Sequence, residues 1–275
     1  MKSLNNWLLV LSVLSCFGCS SPVHEDDRGC AFVSDSIQYR VEFMSEGCVR
    51  ILSFPEGDTL VTKRLVVDSQ KPAFKDYKWK DTGQQLIFST RELSVAFDKE
   101  DAAFTFQEVS TGKLLLKEKE AKKARHFKRS VTGGEQCLEV TQRFVPTDDE
   151  AIYGLGQYQN GIMNYRGKSV LLLQANMDIV NPFLISTNGY GILWDNYSST
   201  KFEDTKEGYS FTSEVGDASD YYFVYGKNMD EVVAGYRELT GDVPMFGKWV
   251  YGFWQSKERY KSFDELKAVV KEYRK

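Results

Sequence analysis

Apolar and polar residues alternate with a period of two along most of the first two thirds of the chain. The first clear segment carries apolar side chains at every second position: Ile37, Tyr39, Val41 and Phe43. A strand with one buried face has this pattern. A second segment, 49–54, follows a turn at Glu46 and Gly47, which predicts a hairpin. Similar segments recur at 86–88, 93–97, 104–106, 114–116, 138–144, 209–213 and 221–225. Short strands at regular spacing predict a mostly β fold, an antiparallel β-sandwich, with no helix before about residue 228.

The period changes to that of a helix after residue 228. Asn228 is a good N-cap, and Asp230 and Glu231 place negative charge at the positive end of the helix dipole. The apolar stripe consists of Val232, Val233, Tyr236 and Leu239. Gly241 and Pro244 predict where this helix ends.

A different pattern occupies the C-terminal segment. Residues 248–254 form a nearly continuous apolar run, which is typical of a strand buried on both faces of a parallel sheet. Ser262 and Glu265 form a capping box in front of an amphipathic helix. A strand followed by a helix is one β/α unit, whereas a (β/α)₈ barrel needs about 250 residues. Only 27 residues run from Trp249 to Lys275, so we expect the first unit of a truncated TIM barrel.

The N-terminus has the features of a targeting signal. Lys2 precedes an apolar stretch at 7–14, which is too short to span a bilayer. Cys16 and Cys19 each follow small residues, as the lipidated cysteine of a bacterial lipoprotein does. We therefore expect a lipoprotein-type signal over 1–19 and a polar tether over 20–34. The alternative is an ordinary secretory signal in which both cysteines are incidental.

These boundaries predict a β-sandwich domain over 35–243 and the start of a barrel over 244–275. The protein is expected in the bacterial envelope, as a periplasmic or outer-membrane lipoprotein that meets the membrane through its lipid anchor only.

Composition narrows the possible partners. The net charge of −4 argues against nucleic acid, which requires a dense basic face. Aromatic residues make up 14%, which suits a β-sheet core or, less often, a sugar site. Cys30, Cys48 and Cys137 allow at most one disulfide and show no metal-ligand spacing, so no metal site is expected. The charged run 117–129 contains acids among its bases and predicts a solvated ribbon or loop.

Several blocks in the second half of the chain carry a family resemblance. They are Tyr153–Gly156, Pro182–Ser186, Gly189–Asn196, and a junction between Tyr225 and Trp249. In this order they resemble the N-terminal, galactose mutarotase-like β-sandwich of family 31 glycoside hydrolases, and most of all its bacterial α-xylosidase-type members. The resemblance extends from about residue 35 to the C-terminus.

The resemblance implies a retaining enzyme that hydrolyses terminal α-xylosyl or α-glucosyl units of oligosaccharides, without a cofactor or metal. Such an enzyme needs two carboxyl groups at the scissile bond. In the family both are aspartates on later barrel strands, which this sequence does not contain, so we assign no catalytic residue and expect the chain alone to be inactive. The adjacent acids 148–150 are expected to be solvated.

The family also suggests where substrate is contacted. A loop of the sandwich reaches the sugar in family members, and Asn176 and Asp178 occupy the matching place, although both also favour turns. Trp254, Gln255 and Arg259 follow the predicted barrel strand, where barrel sites are built; alternatively they are a packed Trp and a loop Arg. The expected substrate is a plant xyloglucan-type oligosaccharide or an α-glucan. Gln157 replaces a Glu that family members often carry.

Two other functions fit the same sequence. The chain could be a non-enzymatic carbohydrate-binding envelope lipoprotein, or a structural envelope lipoprotein without a ligand. An unpaired barrel unit disfavours both, because it would leave an apolar strand edge open to aggregation.

Overall fold

The structure, a computed structural model, describes residues 23–58, 64–68, 72–119 and 125–275. The chain divides into two compact units, one ending at Gly241 and the other running from Asp242 to Lys275. The predicted signal over 1–19, with Cys16 and Cys19, lies outside the described residues.

Eighteen strands among the described residues of the first unit form two large antiparallel sheets. Sheet A has eight strands in this spatial order: β1 His24–Glu25, β2 Cys30–Ser34, β3 Ile37–Phe43, β4 Cys48–Pro55, β18 Ser219–Tyr225, β15 Tyr190–Trp194, β14 Ile179–Ser186 and β12 Ile152–Gln157. Sheet B has ten: β13 Ser169–Leu172, β16 Thr200–Thr205, β17 Gly208–Gly216, β11 Glu135–Val145, β9 Leu114–Glu118, β8 Ala103–Glu108, β7 Leu93–Asp98, β6 Gln85–Ser89 and β5 Lys78–Asp81, with β10 Arg125–Thr132 paired to β11.

The inner faces of the two sheets form one aromatic core. Phe32 and Tyr39 of sheet A meet Phe97 of sheet B, with Tyr39 and Phe97 ring centroids 4.8 Å apart. Apolar residues at alternate strand positions supply this core, because successive side chains of a strand point to opposite faces. The predicted antiparallel β-sandwich is therefore confirmed.

The predicted tether is wrong from residue 24 onward. Strand β2 pairs with β3 over its whole length, and β1 pairs with β2 at His24 and Glu25. Cys30 and Phe32 are buried in the core. The segment 30–34 alternates like the strands that follow it, and pairing with β3 satisfies its backbone groups.

The prediction that the charged run 117–129 is solvated is also wrong in part. Strand β10 does form a ribbon with β11, but Glu118 and Arg125 are buried and ion-paired between the sheets. Arg125 also donates to the Tyr39 hydroxyl at 3.2 Å and the Ala102 carbonyl at 2.8 Å. Burial of both charges is tolerated because each is paired and its remaining hydrogen-bonding groups are used.

Glu118 accepts three further hydrogen bonds. Its donors are the Tyr221 hydroxyl at 2.8 Å, the Gln142 amide at 2.9 Å and the Phe104 backbone N–H at 2.9 Å. The carboxylate thus links strands of both sheets across the core.

The helix predicted after residue 228 is confirmed as α1, Met229–Thr240. Asn228 Oδ1 accepts the Glu231 N–H at 3.0 Å, and Gly241 ends the helix with a positive φ of 88°. Val232 and Leu239 of α1 pack on the outer face of sheet A. This face is consequently covered rather than exposed to water.

The second unit contains the other predicted helix but no strand. Helix α2, Phe263–Tyr273, is capped by Ser262, whose Oγ accepts the Glu265 N–H. The strand predicted over 248–254 is wrong: Lys248–Tyr251 form a single 3₁₀ turn, and Trp249 is 73% exposed. A strand requires a neighbouring strand for its backbone groups, and none of the described residues pairs with this segment.

None of the three cysteines among the described residues forms a disulfide. Cys30 and Cys48 are buried and Cys137 is partly exposed.

Replacing Arg125 by Met should lower the free energy of unfolding by about 3–5 kcal/mol, because the buried Glu118 carboxylate loses its counter-charge. Urea unfolding followed by circular dichroism measures the change. The exposed Lys201–Glu203 pair provides the control, and Lys201→Met should cost no more than about 1 kcal/mol. Equal losses in the two variants would contradict a structural role for the buried pair.

Candidate functional site

A glycine-rich bend in β12 sets the path of the neighbouring strand β14. Gly154, Leu155 and Gly156 all have positive φ, at 98°, 66° and 120°, and the β12–β14 register shifts between the two glycines. A Cβ on Gly156 would lie 2.0 Å from the Ile179 carbonyl oxygen. Only glycine permits this close approach, which fixes where β14 begins.

The loop in front of β14 carries Asn176 and Asp178. Gln174 closes the loop, since its amide donates to the Asp178 carbonyl at 2.7 Å and accepts from the Val180 N–H at 3.2 Å. Met177 at the tip has a φ of 71°. Asn176 is exposed and Asp178 half-buried, and the described residues donate no hydrogen bond to the Asp178 carboxylate. The loop therefore holds two polar side chains whose hydrogen-bonding groups are available to a ligand.

The other three predicted contacts belong to the second unit. Trp254 donates its indole N–H to the Val250 carbonyl at 2.8 Å, and Gln255 accepts from the Tyr273 hydroxyl at 2.8 Å. Arg259 is exposed. Their role in substrate binding stays a prediction, as does that of Asn176 and Asp178.

The three adjacent acids do not share one environment. Asp148 and Asp149 are exposed, as expected, but Glu150 is buried, which corrects the prediction for that residue. Glu150 accepts hydrogen bonds from the Ser186 hydroxyl at 2.8 Å and the Tyr190 hydroxyl at 3.0 Å. Burial raises the pKa of the Glu150 carboxyl above its usual range. These hydroxyls belong to strands of the core, so Glu150 has a structural role.

Asp195 is the polar residue of this region that sequence reasoning missed. It follows β15, where Trp194 points into the core and Asp195 therefore points to the outer face of sheet A. It is 5% exposed, and neither carboxylate oxygen accepts a hydrogen bond within the part of the chain that the structure describes. The sequence could have indicated this position, because Asp195 directly follows the apolar Trp194. Successive side chains of a strand point to opposite faces of the sheet.

The surroundings of Asp195 oppose its ionisation. Burial raises the pKa of the Asp195 carboxyl, and the neighbouring Asp220 carboxylate raises it further. The Tyr197 hydroxyl beside the carboxyl group acts in the opposite direction and lowers the pKa. Arg50 and Arg64 also lower the pKa, but they bind Asp220 and Glu42.

Two cavities flank the residues that follow β15. One, of about 300 Å³, extends towards Leu173 and Gln174 at the base of the Asn176 loop. The other, of about 440 Å³, is bordered by Leu65 and Asp217. Asp195 and Tyr197 line both. A third cavity, of about 510 Å³, lies at the β10–β11 hairpin beside Cys137 and contains none of the predicted site residues.

Comparison with known families identifies the class of this protein. Residues 38–203 match the glycosyl hydrolase 31 N-terminal galactose mutarotase-like domain. The chain therefore belongs to the family 31 glycoside hydrolases through this domain, as its sequence blocks predicted.

Individual relatives agree with that assignment. The chain is 37% identical over 254 residues to an α-xylosidase of Saccharolobus solfataricus, covering 87% of this chain and 33% of that protein. A family 31 α-xylosidase from a soil metagenome, solved with xylose, superposes with a TM-score of 0.75 at 25% identity, over 92% of this chain and 40% of that one. A Xanthomonas citri α-xylosidase gives a TM-score of 0.74 at 24% identity, over 92% and 44%, which supports the fold. The chain thus spans a third to under a half of the length of these relatives.

Replacing Asp195 by Asn should make the protein more stable at neutral pH and should flatten its stability profile. The folded-state pKa of Asp195 is raised, so its neutral form favours folding at low pH. That contribution is lost as pH rises from about 3.9 through the raised pKa. Urea unfolding between pH 4 and 8 should show the advantage of Asp195→Asn increasing with pH, by about 1.4 kcal/mol for each pH unit that separates the two pKa values.

Asp149→Asn is the control for this series, because Asp149 is exposed and should leave the profile unchanged. An Asp195→Asn effect that is constant with pH, or that shrinks as pH rises, would contradict the burial of an unpaired carboxyl group.

Proposed function

We propose that this chain forms the N-terminal part of a retaining α-glycosidase that removes terminal α-xylosyl or α-glucosyl units from oligosaccharides. The observation that carries the proposal is the 37% identity to an α-xylosidase over 254 residues, because it extends over 87% of the chain. Plant xyloglucan-type oligosaccharides or α-glucans are the proposed substrates.

The Asn176 loop is the proposed contribution of the sandwich to substrate binding. An ionised carboxylate accepts hydrogen bonds from sugar hydroxyls more strongly than a neutral group does. The Asp178 carboxylate accepts none from the described residues, and the Gln174 bridge fixes the loop backbone around it. A preorganised acceptor of this kind gains affinity because little conformational entropy is lost on binding.

Trp254, Gln255 and Arg259 are the proposed contribution of the second unit. The indole of Trp254, 65% exposed, offers an apolar surface to a sugar ring. Gln255 and Arg259 add an amide and a cation for hydroxyl groups.

The reacting carboxyl groups are proposed to lie elsewhere in the complete enzyme. Hydrolysis with retention needs two carboxyl groups about 5 Å apart on opposite sides of the glycosidic bond. Two of the buried acids of the sandwich do not meet this need, because Glu150 is bound to core hydroxyls and Asp195 is shielded from water. We therefore propose that the chain alone has no glycosidase activity.

The proposed location is the bacterial envelope, through a lipid on Cys16 or Cys19. Among the described residues, no helix is long and apolar enough to cross a bilayer. A lipid anchor would hold the enzyme at the membrane surface, where oligosaccharides enter the cell.

Joining residues 1–275 to the remaining two thirds of the Saccharolobus solfataricus α-xylosidase should give a chimera that hydrolyses 4-nitrophenyl α-xyloside or α-glucoside. The chain alone, assayed beside it, should release no nitrophenol. In the chimera, Asp178→Asn should raise KM about tenfold, because a hydrogen bond to a charged group is worth about 1.5–3 kcal/mol. The effect should fall mainly on KM if the contact is equally strong in the ground and transition states.

Asp149→Asn in the same chimera is the matched control and should leave KM unchanged, since this carboxylate is exposed and outside the loop. Turnover by the isolated chain that depends on one of its own carboxylates would overturn the proposal. Tight binding of xyloglucan oligosaccharides by the isolated chain, without activity in any chimera, would instead favour a carbohydrate-binding lipoprotein.

Expression in Escherichia coli with an alkyne-labelled palmitate should label the chain if the N-terminal cysteine is lipidated. Cys16→Ala and Cys19→Ala, made separately, should identify the modified residue, because only one of them should abolish labelling. Labelling that persists in the double variant, or a secreted and unlabelled chain, would contradict the anchor.

A further inference from the structure

The larger of the two cavities beside β15 is acidic. Asp195, Asp217 and Asp220 line this cavity of about 440 Å³, and no Lys or Arg is among the described residues that do so. Arg50 neutralises Asp220, so Asp195 and Asp217 supply the negative potential at this cavity. A cationic group is therefore the occupant favoured by charge.

The three carboxylates are not equivalent. Asp220 receives two hydrogen bonds from the Arg50 guanidinium, and Asp217 is exposed to water. Only Asp195 is both shielded from water and without a donor for either oxygen. A buried carboxylate in this state is costly, so a partner that supplies two donors would bind there with a large gain.

Exposed apolar side chains border both cavities that Asp195 lines. Leu65 and Tyr197 border the larger cavity, and Val66 and Leu173 border the smaller one. Three of these four side chains are aliphatic. Arginine is enriched at protein–protein interfaces, so an arginine side chain of a protein is the cationic group that this setting favours.

We propose that this surface, defined by Asp195, Leu65, Val66 and Tyr197, docks a protein partner that inserts an arginine side chain next to Asp195. A guanidinium presents a planar pair of N–H donors that matches both oxygens of a carboxylate. Its methylene stem packs on Leu65 and Val66, as long cationic side chains do on apolar surfaces.

In this proposal Tyr197 controls access to the Asp195 carboxylate. Its ring is half exposed, and its hydroxyl accepts the Leu65 N–H at 2.8 Å. Rotation of this side chain breaks one hydrogen bond at the surface, worth about 1 kcal/mol, and exposes Asp195 to the cavity. The docked guanidinium then replaces that bond with two charge-assisted ones.

The test uses the full chain and two tripeptides that differ only in charge. Acetyl-Leu-Arg-Leu-amide presents a guanidinium between apolar side chains, and acetyl-Leu-citrulline-Leu-amide is its neutral counterpart of the same shape. Calorimetric or NMR titration at pH 7.5 should show the arginine peptide binding about tenfold more tightly than the citrulline peptide. Asp195→Asn should abolish this preference, and Asp149→Asn should retain it.

A second variant separates the contribution of the Asp195 charge from that of the surrounding apolar side chains. Leu65→Ser should weaken both peptides and keep their ratio, because it removes apolar contact without changing the charge. Thermal unfolding of each variant checks that it is folded before titration.

The proposal is overturned if neither peptide binds, if both bind equally, or if the preference survives Asp195→Asn. It is also overturned if calcium or xylose binds in an Asp195-dependent manner and excludes the arginine peptide, because the occupant would then be an ion or a sugar. None of the residues of this docking surface makes a proposed sugar contact. Failure of the docking proposal would therefore not contradict the proposed glycosidase function, which the chimera tests separately.

Discussion

The central strands of sheet A are buried on both faces, and much of the structure follows from that constraint. Every residue of β18 is buried, and so are all but the last of β4. The inner face packs on sheet B, while α1 and the segment 64–68 cover the outer face, with Val67 beside Leu239. Polar side chains on the outer face of these strands lie under α1 and the segment 64–68, away from water. They therefore need hydrogen-bond partners within the protein.

The outward charges largely satisfy one another. Arg50 bridges Asp220 and Glu42, and Arg40 and Arg64 supply further hydrogen bonds to Glu42. These arginines hold the pKa of the Glu42 carboxyl below its usual range, against the opposing effect of burial. Asp195 is the member left without a donor, next to Asp220 and under the same cover. A buried carboxyl group without a donor beside these paired charges is the member of the network that a bound cation would satisfy.

The proposed sugar contact depends on a different part of sheet A, where backbone geometry matters more than charge. The glycines of β12 let β14 approach, and Gln174 then closes the loop that carries Asn176 and Asp178. The loop is thus positioned by a rigid scaffold, as binding loops usually are. The proposed docking surface at Asp195 adjoins this loop through the smaller cavity, so a partner bound there would lie close to the proposed sugar contact.

Local pattern by itself determined the strands, the two helices and their caps. Period-two alternation and turn residues depend on neighbours in the chain, so β3, β4, β6 to β9 and α1 could be predicted from their own residues. The family blocks likewise located the Asn176 loop and the glycine bend. They could not show that Gln174 clamps that loop, because the clamp depends on side-chain geometry.

Tertiary structure decided which charges are buried and whether a strand finds a neighbour. Glu118, Arg125 and Glu150 look solvated in sequence because acids and bases near turns usually are, yet hydroxyls, amides and a counter-charge from distant strands make their burial possible. Residues 248–254 have the composition of a buried strand but form a 3₁₀ turn, since no described strand pairs with them. A side chain's polarity is local, but the partners that permit its burial, or a strand's pairing, come from residues far away in the chain.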